Sequence, residues 1–352
     1  MSGCFISGLC FGSVTDNISP NSVTDVPDYA QHMRGATALV TGGAGFIGSN
    51  IVDALLLAGS RVRVLDDLST GDRGNLVGTT TSPLAELIVG SVSDATAVRH
   101  AVEGCSHVFH LAAMVGISQS VHEPAKHFNS NILGTEIVLR ESAAAKVSSV
   151  VFTSSSAVYG LTPTIPSSES DPLVAASPYA AGKAQGEVFT EIYARTNNTH
   201  AASLRLFNVF GPRQSASGAY AAAIAAFLRA AQLQEPASLF GTGEQTRDFV
   251  PVANVVQAFL RASDPRRNLR GERFNIGLGH ATSLRQLLEM IADITQIKIP
   301  PHLLPPRDAD SPHSCADISA ATSALGFLPH VSMKDGLRET WNWLQSHANL
   351  PT

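Results

Sequence analysis

The sequence predicts an α/β fold, a doubly wound parallel sheet with a smaller C-terminal α/β lobe. Three observations carry this. From residue 36, short apolar runs alternate with stretches of helical periodicity; a glycine-rich turn at 42–48 joins the first run to the first helix; and the rhythm breaks after Asn208. Strand–helix–strand alternation requires parallel pairing through right-handed crossovers, and ligands of such open sheets bind at the carboxyl ends of the strands.

The elements follow in order. Residues 36–40 form the first apolar strand, after which Ile47, Ile51, Ala54, Leu55 and Ala58 recur at helical spacing until Gly59 ends them. Further strands are expected over 61–66, 84–89, 107–113 and 149–155, with helices over 95–103 and 125–145. Residues 34–208 read as the sheet domain, with a late returning strand near 271–277. Residues 209–352 read mainly as the second lobe: a Gly/Ser-rich turn at 214–218, an Ala-rich helix at 219–231, a helix from Ser283 and a stretch at 301–343. Residues 1–33, rich in Ser, Thr, Asn and Asp, are expected to form a poorly ordered leader.

Composition narrows the function classes. A chain of 352 residues, 44% hydrophobic, allows about two domains at roughly 150 residues each. Only 15% of residues are charged and the net charge is −5, which disfavours a nucleic-acid surface. Cys4, Cys10, Cys105 and Cys315 include no C-x-x-C pair, so neither a disulfide framework nor a zinc site is indicated, and a reducing cytoplasmic compartment is expected. The longest weakly polar run, 219–231, is too short to span a membrane, and the first Lys or Arg is Arg34, too late for a secretory n-region. His122-Glu123-Pro124-Ala125-Lys126-His127 imitates a zinc-protease helix, but its histidines are five apart, not four, and no metal is expected.

The first chemical signal is Thr41-Gly42-Gly43-Ala44-Gly45-Phe46-Ile47-Gly48, lying between a strand and a helix. Glycine suits a tight turn where a pyrophosphate approaches the backbone and a helix N-terminus supplies NH groups. Asp66, with Asp67 beside it, ends the second strand. A carboxylate there accepts hydrogen bonds from an adenosine ribose and repels a 2′-phosphate by about 4 kcal/mol at 4 Å and an effective dielectric near 20. NAD rather than NADP is therefore expected, although Arg61, Arg63 and Arg73 lie near enough to blunt the discrimination.

The second is Ser177-Pro178-Tyr179, which opens a helix, with Lys183 four residues on and thus on the same face. Ionising a tyrosine at pH 7 costs about 4 kcal/mol, which a neighbouring ammonium, a helix N-terminus and an oxidised nicotinamide all reduce. The alternative is that Tyr179 is packing and Lys183 pairs with Glu187. Gly182 and Gly186, each unfavourable in a helix by roughly 1 kcal/mol, suggest that something packs close to this helix backbone. Thr153-Ser154-Ser155-Ser156 ends the fifth strand, where a hydroxyl could reach a ligand or simply line a polar loop.

Taken together these residues resemble the extended short-chain dehydrogenase/reductases, and within them the NAD-dependent nucleotide-sugar epimerases and dehydratases. The likeness runs from about residue 35 to 345. Its landmarks are the glycine turn, His110-Leu111-Ala112-Ala113, the run from Ser154 to Gly160, Tyr179 to Lys183, Leu204 to Pro212, Phe240-Gly241-Thr242-Gly243, Thr246-Arg247-Asp248-Phe249 and Phe274-Asn275-Ile276-Gly277. The resemblance implies a Rossmann sheet and the following roles. Ser155, Tyr179 and Lys183 would be catalytic, with Tyr179 as base and Lys183 holding the nicotinamide ribose. Gly42, Gly45, Phe46, Ile47, Gly48, Asp66, Asp67, Val92, Leu111, Ala112, Ala113 and Asn131 would complete the NAD site. Ser155, Ser156, Asn208, Ser238, Phe240, Arg247, Arg307, Asp310 and Ser314 would face the nucleotide sugar.

Relatives that expel water or carbon dioxide carry an acid after the catalytic Ser/Thr; Ser156 and Ala157 stand there, so plain epimerisation at C4 through a 4-keto sugar is implied. Asn208 to Gly211, with Gly218-Ala219-Tyr220-Ala221-Ala222, resemble the UDP-N-acetylglucosamine 4-epimerase branch, and a small Ser314 would leave room for an N-acetyl group. UDP-glucose/galactose, UDP-glucuronate, a net NAD(H)-dependent reductase and a catalytically silent NAD-binding regulator remain the alternatives. A homodimer through helices near 125–145 and 178–195 is implied. Ser91, Pro251 and Asn254 depart from the family pattern.

Overall fold

The computed structural model describes residues 26–79, 81–161, 163–215, 222–306 and 311–347. The chain runs β1 (Thr37–Thr41), α1 (Phe46–Leu57), β2 (Arg61–Asp66), β3 (Ala85–Val89), α2 (Ala95–Val102), β4 (His107–His110), α3 (Ile117–His122), α4 (Pro124–His127), α5 (Gly134–Ala144), β5 (Ser149–Ser155), α6 (Pro178–Thr196) and β6 (His200–Leu206). It continues through β7 (Asn208–Phe210), α7 (Ala223–Leu233), β8 (Ala237–Phe240), β9 (Thr246–Arg247), β10 (Phe249–Pro251), α8 (Val252–Ala262), β11 (Arg270–Ile276), β12 (Thr282–Ser283), α9 (Leu284–Thr295), β13 (Pro301–Leu304), α10 (Ser319–Leu325) and α11 (Met333–Ser346).

Seven parallel strands form one sheet in the order β11-β6-β5-β4-β1-β2-β3. Successive side chains of a strand point to opposite faces. Accordingly Ala38 and Val40 join a core with α1, α8 and α10, while Leu39 joins a core with α2, α5 and α6. The strand order reverses between β1 and β4, the crevice where doubly wound sheets bind ligands. Three two-stranded pairs, β7/β10, β8/β13 and β9/β12, build the lobe beside it around Phe210, Phe227, Leu287 and Leu337. No helix among the described residues is long and apolar enough to cross a membrane.

The structure departs from the sequence expectations at four points. Residues 26–33 are not a loose leader: a 3-10 helix at Asp28–Met33 buries Ala30 and Met33 in the sheet core, and burial of one Met contributes roughly 1.5–3 kcal/mol toward ordering it. Residues 1–25 lie outside the described residues. The helix expected over 125–145 is three pieces, α4, a π-helical turn at Phe128–Leu133, and α5; such widened turns re-aim side chains, and this one turns Asn131 inward. The fourth strand stops at His110, leaving Leu111 to Ala113 as loop. Finally, α8 and α10 return to the sheet, so residues 209–352 are divided between the two parts.

Candidate active site

Every cofactor-side residue expected from sequence lies at or just beyond a carboxyl end of the sheet, or on α1, the π turn and α6 beside it. Gly42 has φ +71°, its NH donates to Leu65 O (2.8 Å), and a Cβ there would come within 2.7 Å of the Ala112 nitrogen. A Cβ on Gly48 would lie 2.2 Å from Gly42 O, so the turn and α1 close on each other only without side chains. Gly45 is the N-cap of α1 and offers no side-chain cap, leaving the first-turn NH groups directed at the crevice. Asp66 is buried; its Oδ2 accepts from Ala44 N and its Oδ1 from Leu68 N, both at 2.9 Å, while burial pushes its pKa up. One carboxylate thus ties β2 to the glycine turn. Asp67 is exposed and accepts from Ser69 N at 3.0 Å.

A polar relay runs beneath this turn. Thr135 Oγ1 donates to Asn131 O (2.7 Å), so it must accept from His110 Nε2 (3.0 Å). His110 Nδ1 then accepts from Thr41 Oγ1 (2.7 Å), whose lone pairs receive Leu111 N and Ala112 N at 3.2 Å each. The bonds close only for a neutral imidazole with its proton on Nε2. Burial agrees, driving the His110 pKa down to about 3. Asn131 pairs with Met114 through both amide atoms, accepting from its N (2.8 Å) and donating to its O (2.9 Å). Val92 is buried against Gly134.

Ser155 ends β5, its Oγ accepting from Ala157 N at 3.2 Å, and half-buried Ser156 begins the 3-10 turn that follows. Ser177 Oγ caps α6 through Ala180 N (3.1 Å), placing Tyr179 in the first turn. Lys183 does not pair with Glu187: its ammonium donates to Thr153 O (2.8 Å), 5.1 Å from the Phe152 ring centre and 5.9 Å from that of Tyr179. Burial lowers the Lys183 pKa to about 8. Burial raises that of Tyr179, against the pull of its hydrogen bond with Ser155. Desolvation therefore outweighs the acidifying pull of Ser155 on the phenol. Gly186 is required, since a Cβ would sit 2.3 Å from Phe152 Cζ; at Gly182 it would meet Asn131 Cβ at an ordinary 3.5 Å.

Across the crevice, Asn208 is exposed at the start of β7, and Arg247 Nη1 donates to Thr246 O (2.7 Å). Ser314 is half-buried and its N donates to Thr246 O (3.1 Å). Ser238 and Phe240 lie on β8, and Phe240 lines a cleft of about 360 Å³ with Gln245, Pro306 and His313. Arg307, Asp310 and residues 218–221 lie outside the described residues.

Residues 38–277 match the family described as the NAD dependent epimerase/dehydratase family. The chain belongs to that family. Among curated relatives, a UDP-glucose 4-epimerase of Mycolicibacterium smegmatis is 40% identical over 312 residues, covering 88% of this chain and 99% of its own. Among solved structures, a UDP-N-acetylglucosamine 4-epimerase from Methanobrevibacter ruminantium M1, in complex with UDP-N-acetylmuramic acid, aligns with a TM-score of 0.85 at 34% identity, covering 89% and 99% of the two chains. A UDP-glucuronic acid 4-epimerase from Bacillus cereus, bound to UDP-glucuronic acid and NAD, aligns with a TM-score of 0.82 at 27% identity over 88% and 99%.

NAD is the cofactor of this epimerase family, and the uncapped α1 terminus, the side-chain-free turn and the Asp66 carboxylate fit it. Two of the departures from the family pattern have local explanations. Asn254 is fully buried, accepts from His330 N and Val331 N, and donates to Val331 O, a mixed role that a carboxylate could not fill. Pro251 closes β10 against Gly336. Ser91 Oγ accepts from Ser93 N at 3.2 Å. Sequence reasoning missed roles for Thr41, Thr135, Glu187, Arg205 and Asp248. The legible signal was a lone ion inside an apolar run, as in Leu204-Arg205-Leu206.

Proposed function

We propose that this chain interconverts the C4 epimers of a UDP-sugar, UDP-GlcNAc and UDP-GalNAc foremost and UDP-glucose and UDP-galactose as further substrates. The observation that carries the reading is Ser155, Tyr179 and Lys183 gathered at the carboxyl edge beside the glycine turn, with Ser156 and Ala157, not an acid, following Ser155. NAD would rest on Gly42, Gly45, Phe46, Ile47 and Gly48, with Asp66 and Asp67 at its ribose and Val92, Leu111, Ala112, Ala113, Asn131 and Lys183 toward its nicotinamide end. When bound it supplies the acceptor and donor for hydride at the sugar carbon. Tyr179 takes and returns the proton of the sugar hydroxyl, and Ser155, hydrogen-bonded to the phenol, relays or stabilises it. The Lys183 ammonium is the chain's own cation beside that phenol. Asn208, Arg247 and Arg307 would bind the sugar diphosphate, Ser156, Asp310 and Ser314 would face the sugar, and Ser238 and Phe240 the uracil.

Exposed Val121, Phe128, Val188 and Ile192 on α3, the π turn and α6 support a homodimer through this face. The buried free thiols Cys105 and Cys315 suit a reducing cytoplasm. The test is incubation of the purified protein separately with UDP-GlcNAc, UDP-glucose and UDP-glucuronate, resolving epimers by chromatography while following nicotinamide absorbance. UDP-GalNAc should form without net absorbance change. Conversion of none of the three refutes the reading, and stoichiometric NADH would make the protein a reductase or dehydrogenase.

A further inference from the structure

We infer that Asp248 is a positioning residue that sets the substrate wall of the crevice as one unit, an inference resting on the UDP-sugar reading above. Asp248 is fully buried, yet no ion pair reaches it among the described residues. Its charge is met by three backbone NH groups instead: Oδ1 accepts from Leu278 N (2.7 Å), and Oδ2 from Gly279 N (2.9 Å) and Ala316 N (3.1 Å). Its own carbonyl accepts from Asn208 N (3.0 Å). Four separated segments therefore converge on one residue: the start of β7, the β9–β10 link, the turn leaving β11, and the segment at 314–316.

Three of these segments carry residues assigned to the substrate. Arg247 immediately precedes Asp248; Asn208 is bonded to its carbonyl; Ser314 lies two residues before Ala316 and is itself tied to Thr246. The fit leaves no slack, because a Cβ on Gly277 would lie 2.6 Å from Oδ2. A carboxylate presents acceptors in every direction these NH groups approach, whereas an amide presents one oxygen and a donor. The cofactor wall is held by other bonds, those of Asp66, Asn131 and Lys183. The acceptor of Asp248 thus serves one wall of the crevice and not the other.

The test is Asp248→Asn in the full chain, with calorimetric titration of UDP, the NAD content per chain, and KM and kcat for the sugar that the wild type converts. UDP affinity should fall at least about ten-fold, the scale of one lost charge-assisted hydrogen bond. KM should rise in parallel and more than kcat falls, with NAD content and the pH–rate profile unchanged. Wild-type UDP affinity in the variant, or an equal loss of UDP and NAD, overturns the inference. If Asp248→Asn does not fold, Gly277→Ala, whose methyl would press on Oδ2, should weaken UDP in the same selective way, and wild-type affinity there overturns it equally. A wild-type protein that binds no UDP overturns the UDP-sugar reading itself, and the inference with it.

Discussion

Glu187 and Arg205 form an ion pair that neither partner could leave cheaply. Glu187 is 0% and Arg205 1% exposed; Oε1 accepts from Nε at 2.9 Å and Oε2 from Nη2 at 2.8 Å. Ser154 Oγ also donates to Glu187, and Arg273 Nε stands 3.2 Å from Oε2. Arg205 continues to Tyr159 OH (2.8 Å), which donates to Asn275 Oδ1 (2.7 Å). The pairing holds the guanidinium pKa well above its usual range. Glu187→Gln keeps the shape but removes the charge, stranding a buried guanidinium. Breaking a buried pair from one side costs about 3–5 kcal/mol. Arg273, itself partly exposed, is relieved of only a weak contact, so the lower end, about 3 kcal/mol, applies. At about 2.1 cal/mol/K of unfolding entropy per residue over 352 residues, each kcal/mol moves the melting midpoint by about 1.4 °C, so it should drop by roughly 4 °C. Arg205→Met alone should cost a similar amount, while Glu187→Leu with Arg205→Met should recover much of it, because packed apolar groups substitute for such a pair nearly neutrally. Thermal and chemical denaturation of the four proteins completes the cycle. A single-variant midpoint within about 1 °C of wild type, a loss under about 1 kcal/mol, or purely additive effects, would refute the reasoning.

Three further outcomes follow from the same structure. Tyr179→Phe should lower kcat about 10²–10⁴-fold while NAD stays bound, checked by epimer chromatography and cofactor content. His107 is buried and its pKa is pushed down from 6.5 to about 4. Between those values the unfolded chain binds a proton that the folded chain refuses, so stability is fully present above pH 6.5 and falls on acidification. The His107 share of the loss is about 3 kcal/mol by pH 4, and His107→Gln should make the fall of the denaturation midpoint with acid less steep over that window, the remainder belonging to other buried imidazoles such as His110. Gly186→Ala would drive a methyl to 2.3 Å from Phe152 Cζ, beneath the Lys183 ammonium. Overpacking of this kind costs typically about 1–3 kcal/mol, and the melting midpoint and kcat should fall together.

Much of the scaffold was legible in residue order. β2 and β5 begin and end where their apolar runs do, and the glycine turn stands between strand and helix as its spacing demands. Ser177 capping α6 and Ser283 capping α9, the latter with Gln286 in a reciprocal capping box, are local devices that need only a few residues to specify. The need for glycine at 186 was visible as a helix-weakening residue, though its partner, Phe152, was not.

What sequence determined by itself was therefore periodic or local: the alternation that makes a parallel sheet, the turn chemistry and the caps. Tertiary structure decided the charges and the protons. Whether Lys183 donated to Glu187 or to a strand carbonyl, whether the Tyr179 pKa moved up or down, and which groups met the Asp248 carboxylate all depended on contacts between residues up to 68 positions apart, as Asp248 and Ala316 are. The physical reason is that desolvation and hydrogen-bond supply belong to the assembled interior and not to neighbours along the chain. A π turn that aims Asn131 and a 3-10 segment that buries Met33 follow the same rule, since each is held in place by what packs around it.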